Sequence, residues 1–290
     1  TVIEILLLLL GDMPLFDALT TAFGTAGTGG FGIKNTSMMD YSPYLQWVVT
    51  IFMVLFGVNF NAYYLMLFGK FRRAFAMEEV RWYLIIIAFA TGVIFLQILG
   101  SSAGVFDALT HSSFQVASII TTTGFSTIDF DLWPQTSRTI LVLLMFIGAC
   151  AGSTGGGFKV SRIVILCKYA KNELERLIHP RTVKVVKVDG KQVSKETVHG
   201  VLVYTLFYIL IAMASMLLVS LDNFDASTTI SSVLATLNNI GPGLGAVGPA
   251  ASFAGLSDLS KAVLCLDMLA GRLEIFPLLV LLLPSTWAKK

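Results

Sequence analysis

Charge is scarce in this sequence. Asp, Glu, Lys and Arg make up 13% of its 290 residues, while 55% are hydrophobic and the mean hydropathy is +0.78. A soluble domain carries about 25% charge and about 45–50% apolar residues, so a soluble fold is excluded and several spans of ~20 residues are expected. Cysteine is equally thin. Cys150, Cys167 and Cys265 are odd in number, far apart and set in apolar runs, without the spacing of a disulfide framework or a zinc site; all three are read as packing residues. His111, His179 and His199 stand singly, with no metal-ligand spacing. With no paired His/Asp, Ser/His or metal constellation, the chain is not read as an enzyme. A net charge of +2 is too small to suggest nucleic acid as a partner. The run Val2–Leu10 lacks the basic start and small-residue cleavage site of a signal peptide. It is read as the end of a longer helix, and the sequence as a fragment.

What the sequence does have is repetition. Phe16-Asp17-Ala18, Phe106-Asp107-Ala108 and Phe224-Asp225-Ala226 each open a short amphipathic segment that runs into a glycine-centred stretch. Those stretches are Gly27-Thr28-Gly29-Gly30-Phe31, Thr121-Thr122-Thr123-Gly124-Phe125 and Asn238-Asn239-Ile240-Gly241-Pro242-Gly243. Apolar runs flank them: Pro43–Phe68, Trp82–Leu99, Arg138 to about Tyr169, Val198–Leu221 and Lys261–Leu283, each read as one span. The fourth of the glycine stretches, Gly152-Ser153-Thr154-Gly155-Gly156-Gly157, interrupts the third of these runs. Repetition at this scale organises the whole chain: residues 1–80, 81–197 and 198–290 are three copies of a span–short helix–glycine segment–span unit. A polar insertion, Lys171–Glu196, holds an expected hairpin, Val183–Val188 and Lys191–Val193 about the Asp189-Gly190 turn. Lys70, Arg72, Arg73, Lys168, Lys171, Arg176, Lys289 and Lys290 follow the ends of the second spans, which places those ends inside by the positive-inside rule.

A short segment of ~13 helical residues covers about 20 Å and cannot cross a core of ~30 Å. Non-helical backbone at that depth must line water or be buried in protein. The aspartates suit the positive ends of the short helices as caps, which turns the partly negative ends toward the glycine segments and favours a cation there. Glycine frees the backbone to aim its carbonyls at an axis, and carbonyl rings replace a cation's hydration shell in potassium channels. Phe31 and Phe125 are expected to wedge the segments in place. Gly152 to Lys159 is a near miss to a phosphate-binding loop, but Phe158 precedes the lysine and no strand precedes the glycine. Asn59 and Asn61 are assigned interhelical hydrogen bonds.

Three stretches carry a family resemblance: Gly148–Lys159, Ala235–Gly245 and Gly271-Arg272-Leu273-Glu274. With them the chain resembles the Trk/Ktr/HKT superfamily of cation transporters, in its bacterial TrkH-type branch. The resemblance implies an all-α membrane protein of repeated helix–pore helix–helix units around a pore, K⁺-channel-like, of which this sequence shows the second to fourth. It implies a potassium-binding filter made by the backbone carbonyls of Thr28, Gly29, Thr122, Thr123, Asn239 and Ile240, with Gly30, Gly124 and Gly241 as its glycines. It implies a gate formed by Gly152, Ser153, Thr154, Gly155, Gly156, Gly157 and Arg272. Alternatively, Glu274 and Asp267 simply neutralise Arg272. The implied activity is potassium uptake across the bacterial inner membrane, with potassium as substrate and no cofactor. The implied partners are a cytosolic nucleotide-binding regulatory subunit, a second pore subunit in a homodimer, and membrane lipid. An ion-coupled symporter is the alternative, with Asp267 as its one clear membrane-embedded acid.

Overall fold

In the computed structural model the described residues are 1–180, 184–282 and 284–287. Fourteen helices follow one another among them: α1 Val2–Leu10, α2 Leu15–Ala26, α3 Pro43–Phe56, α4 Phe60–Leu67, α5 Phe71–Ala76, α6 Glu78–Ile98, α7 Val105–Ile120, α8 Gln135–Ile147, α9 Val160–Ile178, α10 Lys195–Val219, α11 Ala226–Leu237, α12 Asp258–Arg272, α13 Phe276–Leu282 and α14 Pro284–Trp287. A two-stranded hairpin, β1 Lys187–Val188 and β2 Lys191–Gln192, interrupts them. The expected hairpin thus forms about Asp189-Gly190, shorter than the alternation suggests; Val183 and the terminal Lys289-Lys290 lie outside the described residues.

The helices fall into three runs of like order. α1, α2 and α3 form one unit, α6, α7 and α8–α9 the next, and α10, α11 and α12–α13 the last. Helices Glu78–Ile98 and Lys195–Asp222 are long and apolar enough to cross a membrane. Their outer faces expose Phe89, Leu96, Leu206, Met213 and Leu217, the residues a hydrocarbon solvent would cover. Polar ends fix their depth. The Ser194 hydroxyl accepts from Thr197 N at the start of α10 (3.1 Å), and Glu78 at the start of α6 pairs with Lys168 and takes Asp189 Oδ1 on its backbone N–H.

Two expected spans are broken. Pro43–Phe68 is not one helix: α3 and α4 meet at 90° across Gly57-Val58-Asn59. Gly57 closes α3, and Asn59 caps α4 by accepting from Asn61 N at 2.9 Å. The last span also divides, because α12 ends at Arg272 and α13 begins only at Phe276. Glu274 and Ile275 between them take φ of +59° and +60°. Every second span in the chain is therefore interrupted, not the third run alone.

The three short helices do not start alike. Asp225 is an N-cap, accepting from Ser227 N and Thr228 N at 3.1 and 3.2 Å. Asp17 and Asp107 instead sit inside helices that begin two residues earlier. There they hold neighbours: Asp17 accepts from Tyr41 Oη at 2.7 Å, and Asp107 lies 3.2 Å from His111 Nε2. Hydrogen bonds from Ser227 and Thr228 pull the Asp225 carboxyl down to about 2. A depressed carboxyl stabilises the fold above its unfolded pKa and loses that contribution as pH falls toward the folded one. Asp225→Ala is expected to cost about 1 kcal/mol at neutral pH, read as a lower unfolding temperature in detergent. The difference from the parent should shrink between pH 4 and pH 2, and Asp225→Asn should keep most of the cap.

Burial grades across the units. Of the residues of α7, Ala108, Thr110, Ser112 and Phe114 to Ile120 are buried, and α11 is buried along nearly its whole length, whereas α2 buries only Ala18, Thr21, Ala22 and Thr25. In α11 the Ser232 and Thr236 hydroxyls return their protons to the helix's own backbone, at Thr229 O (2.9 Å) and Ser232 O (2.8 Å), while those of Ser227 and Thr228 donate to the Asp225 carboxylate. This permits close packing without unpaired polar groups. Cys150 packs in the core as expected, but Cys167 and Cys265 are exposed, and all three are free thiols.

Candidate functional site

The C-terminal ends of α2, α7 and α11 close in one way. Thr28 N, Thr122 N and Asn239 N each donate three residues back, to Thr25 O, Ile119 O and Thr236 O. The next amides, of Gly29, Thr123 and Ile240, reach five residues back to Gly24 O, Ser118 O and Ala235 O at 2.8, 2.9 and 2.7 Å. This pair of bonds is the Schellman closure, and it needs a left-handed residue just past the helix. Here that residue is Thr28, Thr122 or Asn239, with φ of +51°, +58° and +57°. Asparagine tolerates this conformation; a β-branched threonine does so only under constraint. Two residues on, Gly30, Gly124 and Gly241 are left-handed again, with φ of +63°, +86° and +108°.

These alternating left-handed residues uncouple the backbone from itself. Among the described residues, the carbonyls of Thr28, Gly29, Thr122, Thr123, Asn239 and Ile240 accept no hydrogen bond. Free carbonyls away from water need another partner. The segments also touch in sequence order. A Cβ on Gly30 would fall on the carbonyl oxygen of Thr123, and one on Gly124 on that of Ile240, both far inside the 3.0 Å that real Cβ atoms keep. A Cβ on Gly241 would meet nothing within 4 Å. The three segments thus form consecutive sides of a cavity of about 730 Å³, closed on one flank by Lys261, Cys265, Met268 and Arg272 of α12. Phe125 is buried and fills the space in front of Gly24 and Gly32 as a wedge should. Phe31 is 82% exposed and, among the described residues, does not act as a wedge.

The Gly148–Lys159 loop, between α8 and α9, lies against these segments. Thr28 Oγ1 donates to Thr154 O at 2.9 Å, and Gly156 N donates to Thr122 Oγ1 at 2.6 Å. The threonine hydroxyls therefore knit the segments to the loop. Thr154 O also accepts from Arg272 Nη1 at 3.3 Å. Ser153 Oγ caps the turn, donating to Cys150 O at 2.7 Å and accepting from Gly155 N at 3.3 Å. Glycine is required where the loop is tightest: a Cβ on Gly155 would lie 2.5 Å from Ala149 Cβ, and one on Gly156 would lie 2.6 Å from Asn238 O. Gly152 and Gly157 take φ of +69° and +81°. Lys159 Nζ turns back onto Gly155 O.

The neutralisation of Arg272 does not occur. Glu274 pairs with Arg162 at 2.6 Å, and Asp267 accepts from Ser215 Oγ at 2.7 Å. Arg272 instead lies between the 730 Å³ cavity and a smaller one of about 200 Å³, lined by the loop with Lys159, Gly271 and Glu274. Asn59 makes the expected interhelical bond, 3.0 Å to Glu79 Oε2, while the Asn61 amide merely serves the cap of α4. His111 is tied between Asp107 and Thr127 rather than isolated. The residue that sequence reasoning passed over is Glu79: it is buried and accepts from Ala151 N and Ser161 N as well as Asn59. Among the described residues no three His, Cys, Asp or Glu side chains cluster as a metal site.

Known proteins share the sequence pattern and the fold. A family model described as TrkH, Cation transport protein, matches residues 8–288. The Trk system potassium uptake protein TrkH of Salmonella typhimurium is 36% identical over 293 aligned residues, covering 99% of this chain and 60% of that protein. The protein of the same name in Vibrio parahaemolyticus is 38% identical over 96% of this chain and 58% of its own length. The crystal structure of the potassium transporter TrkH from Vibrio parahaemolyticus superposes with a TM-score of 0.91 at 36% identity, covering 99% of this chain and 62% of that one. The chain spans about three fifths of the length of the relatives it matches. By its match along nearly its whole length, the chain belongs to the TrkH family of cation transport proteins.

Proposed function

We propose that the chain supplies three sides of a potassium pore in a bacterial inner membrane, and that the protein containing it takes up potassium. One observation carries this reading: three like segments at the C-terminal ends of three short helices hold six backbone carbonyls without internal partners, and five of those six residues, all but Thr122, line one cavity. Such carbonyls replace the hydration shell of a cation, and the partly negative helix ends favour it further. On this reading Thr28, Gly29, Gly30, Thr122, Thr123, Gly124, Asn239, Ile240 and Gly241 form the filter, with residues 1–80, 81–197 and 198–290 as its repeats. The loop Gly152–Gly157 with Arg272 is the gate, since it fills the space against the filter threonines. The relatives named for potassium uptake support the choice of ion.

A coupled symporter is the weaker reading, because Asp267 is bonded to Ser215 and does not line the cavity. The polar segment from the end of α9 through the β1–β2 hairpin is the proposed seat of a cytosolic nucleotide-binding regulatory subunit, and a homodimer is the proposed assembly. The test is potassium uptake by the full-length protein in a transport-deficient strain. Restored growth at low potassium is expected; no rescue at normal membrane expression would remove the reading. Flux in liposomes that follows the potassium gradient and ignores pH and sodium would set the symporter aside.

A further inference from the structure

Glu79 is 6% exposed, and among the described residues it has no salt-bridge partner. A carboxylate in that position is held by hydrogen bonds or costs heavily. Its three donors come from three different elements. Oε1 accepts from Ala151 N at 2.5 Å, near the start of the loop, and from Ser161 N at 3.2 Å, in the first turn of α9 just past the loop. Oε2 accepts from Asn59 Nδ2 at 3.0 Å, at the right-angle bend between α3 and α4. The bend is itself stitched to the loop, with Cys150 N on Gly57 O at 3.1 Å and Phe60 N on Gly152 O at 3.0 Å. One carboxylate therefore ties both ends of the loop to α6 and to the bend. It also sits at the N-terminal end of α9, where a negative charge is favoured.

We propose that Glu79 is the latch of the loop, a positioning residue that holds Gly152–Gly157 against the three segments. The inference rests on the reading of that loop as a gate. Movement of the loop away from the segments strips the carboxylate of its amide donors, so the charge on Glu79 favours the closed arrangement. Glutamine in its place keeps the shape but offers one acceptor and turns an NH₂ toward N–H donors. Asn59→Asp reaches the same joint from the other side: it keeps the oxygen that caps α4 and removes the donor to Glu79.

The experiment uses the full-length protein in liposomes, with rubidium as the tracer, and four forms: parent, Glu79→Gln, Asn59→Asp, and a variant lacking Gly152–Gly156. Flux through Glu79→Gln and Asn59→Asp is expected to rise about tenfold, the factor that ~1.4 kcal/mol provides, with the potassium-to-sodium ratio unchanged. Amide exchange across 149–161 should quicken in both, whereas a purely structural loss would lower flux or disturb selectivity. Parental flux and exchange in whichever of the two variants folds, beside raised flux in the shortened variant, overturns the latch and leaves the gate standing. Parental flux in the shortened variant overturns the gate and the latch together.

Discussion

Gly124→Ala is expected to abolish potassium uptake by the full-length protein, a loss of over a hundredfold, while the protein still reaches the membrane. Two effects act at this one position. The φ of +86° is left-handed and outside what an L side chain readily adopts. The added Cβ would also fall on the carbonyl oxygen of Ile240, one of the six without a partner. That oxygen is backbone, so it cannot swing aside as a side chain would. Either it moves or the Thr122–Gly124 segment does, and in both cases two sides of the proposed filter lose their common geometry. A hundredfold loss corresponds to about 2.7 kcal/mol, within the roughly 2–7 kcal/mol that leaving one amide group without a partner costs in an apolar environment. Gly30→Ala should behave alike through Thr123 O, whereas at Gly241 the Cβ direction is open and only the strain of φ +108° remains. Growth at limiting potassium, with membrane expression measured alongside, reads the series. Parental uptake by Gly124→Ala would remove Gly124 from any filter.

That contrast among three glycines was half legible in the sequence. The Phe-Asp-Ala starts and the glycine segments announced three like units, and the triple glycine of residues 155–157 announced the interruption before α9. The sequence could not say which glycine faces a neighbour's carbonyl, because that depends on how units ~100 residues apart pack around one axis. The bend at Gly57-Val58-Asn59 escaped because Pro43–Phe68 is apolar almost throughout, and hydropathy records only that a residue dislikes water. Its signal was local: a glycine that can close a helix, two residues before an asparagine that can cap the next. The break before α13 had a different signal, Pro277, which ends or kinks a helix running into it. Glu274 and Ile275 are poor candidates for left-handed backbone, and they hold it because Ile275 N reaches Ala270 O at 2.8 Å.

Glu79 and Asp225 show the same limit from the side of charge. An acid at the start of a helix reads as a partner of the helix end, and for Asp225, the N-cap of α11, that is what the structure has. Glu79 carries the same signature, yet its amide partners lie 72 and 82 residues away in the chain. Asp17 and Asp107 show the reverse case: identical neighbours, but helices that start two residues earlier, so that neither is the N-cap and Asp107 instead reaches back to accept from Ala103 N at 3.3 Å. Sequence reports which residues can serve a helix end; only the packing of the units decides where the end falls.

Arg272→Ala is expected to raise potassium flux about tenfold with selectivity unchanged, the reverse of the glycine substitutions. Arg272 closes α12 and reaches the carbonyl of Thr154, which Thr28 Oγ1 also grips. Its charge has no salt-bridge partner among the described residues, since Glu274 is taken by Arg162. It lies on the wall shared by the two cavities, which on the proposed reading is where a potassium ion leaving the filter passes. Two unit charges ~7 Å apart repel by about 2 kcal/mol at an effective dielectric of about 20, and ~1.4 kcal/mol is already tenfold. The substitution removes both the repulsion and one tie on the loop, and two companions separate them. Arg272→Gln keeps a donor for Thr154 O and loses the charge; Arg272→Lys keeps the charge on a shorter reach. If repulsion dominates, Gln should match Ala and Lys should match the parent; if the tie dominates, Gln should stay near the parent. Rubidium flux in liposomes at low and high salt decides between them, because screening weakens only the electrostatic part. Parental flux in all three would show that Arg272 neither repels the ion nor holds the loop.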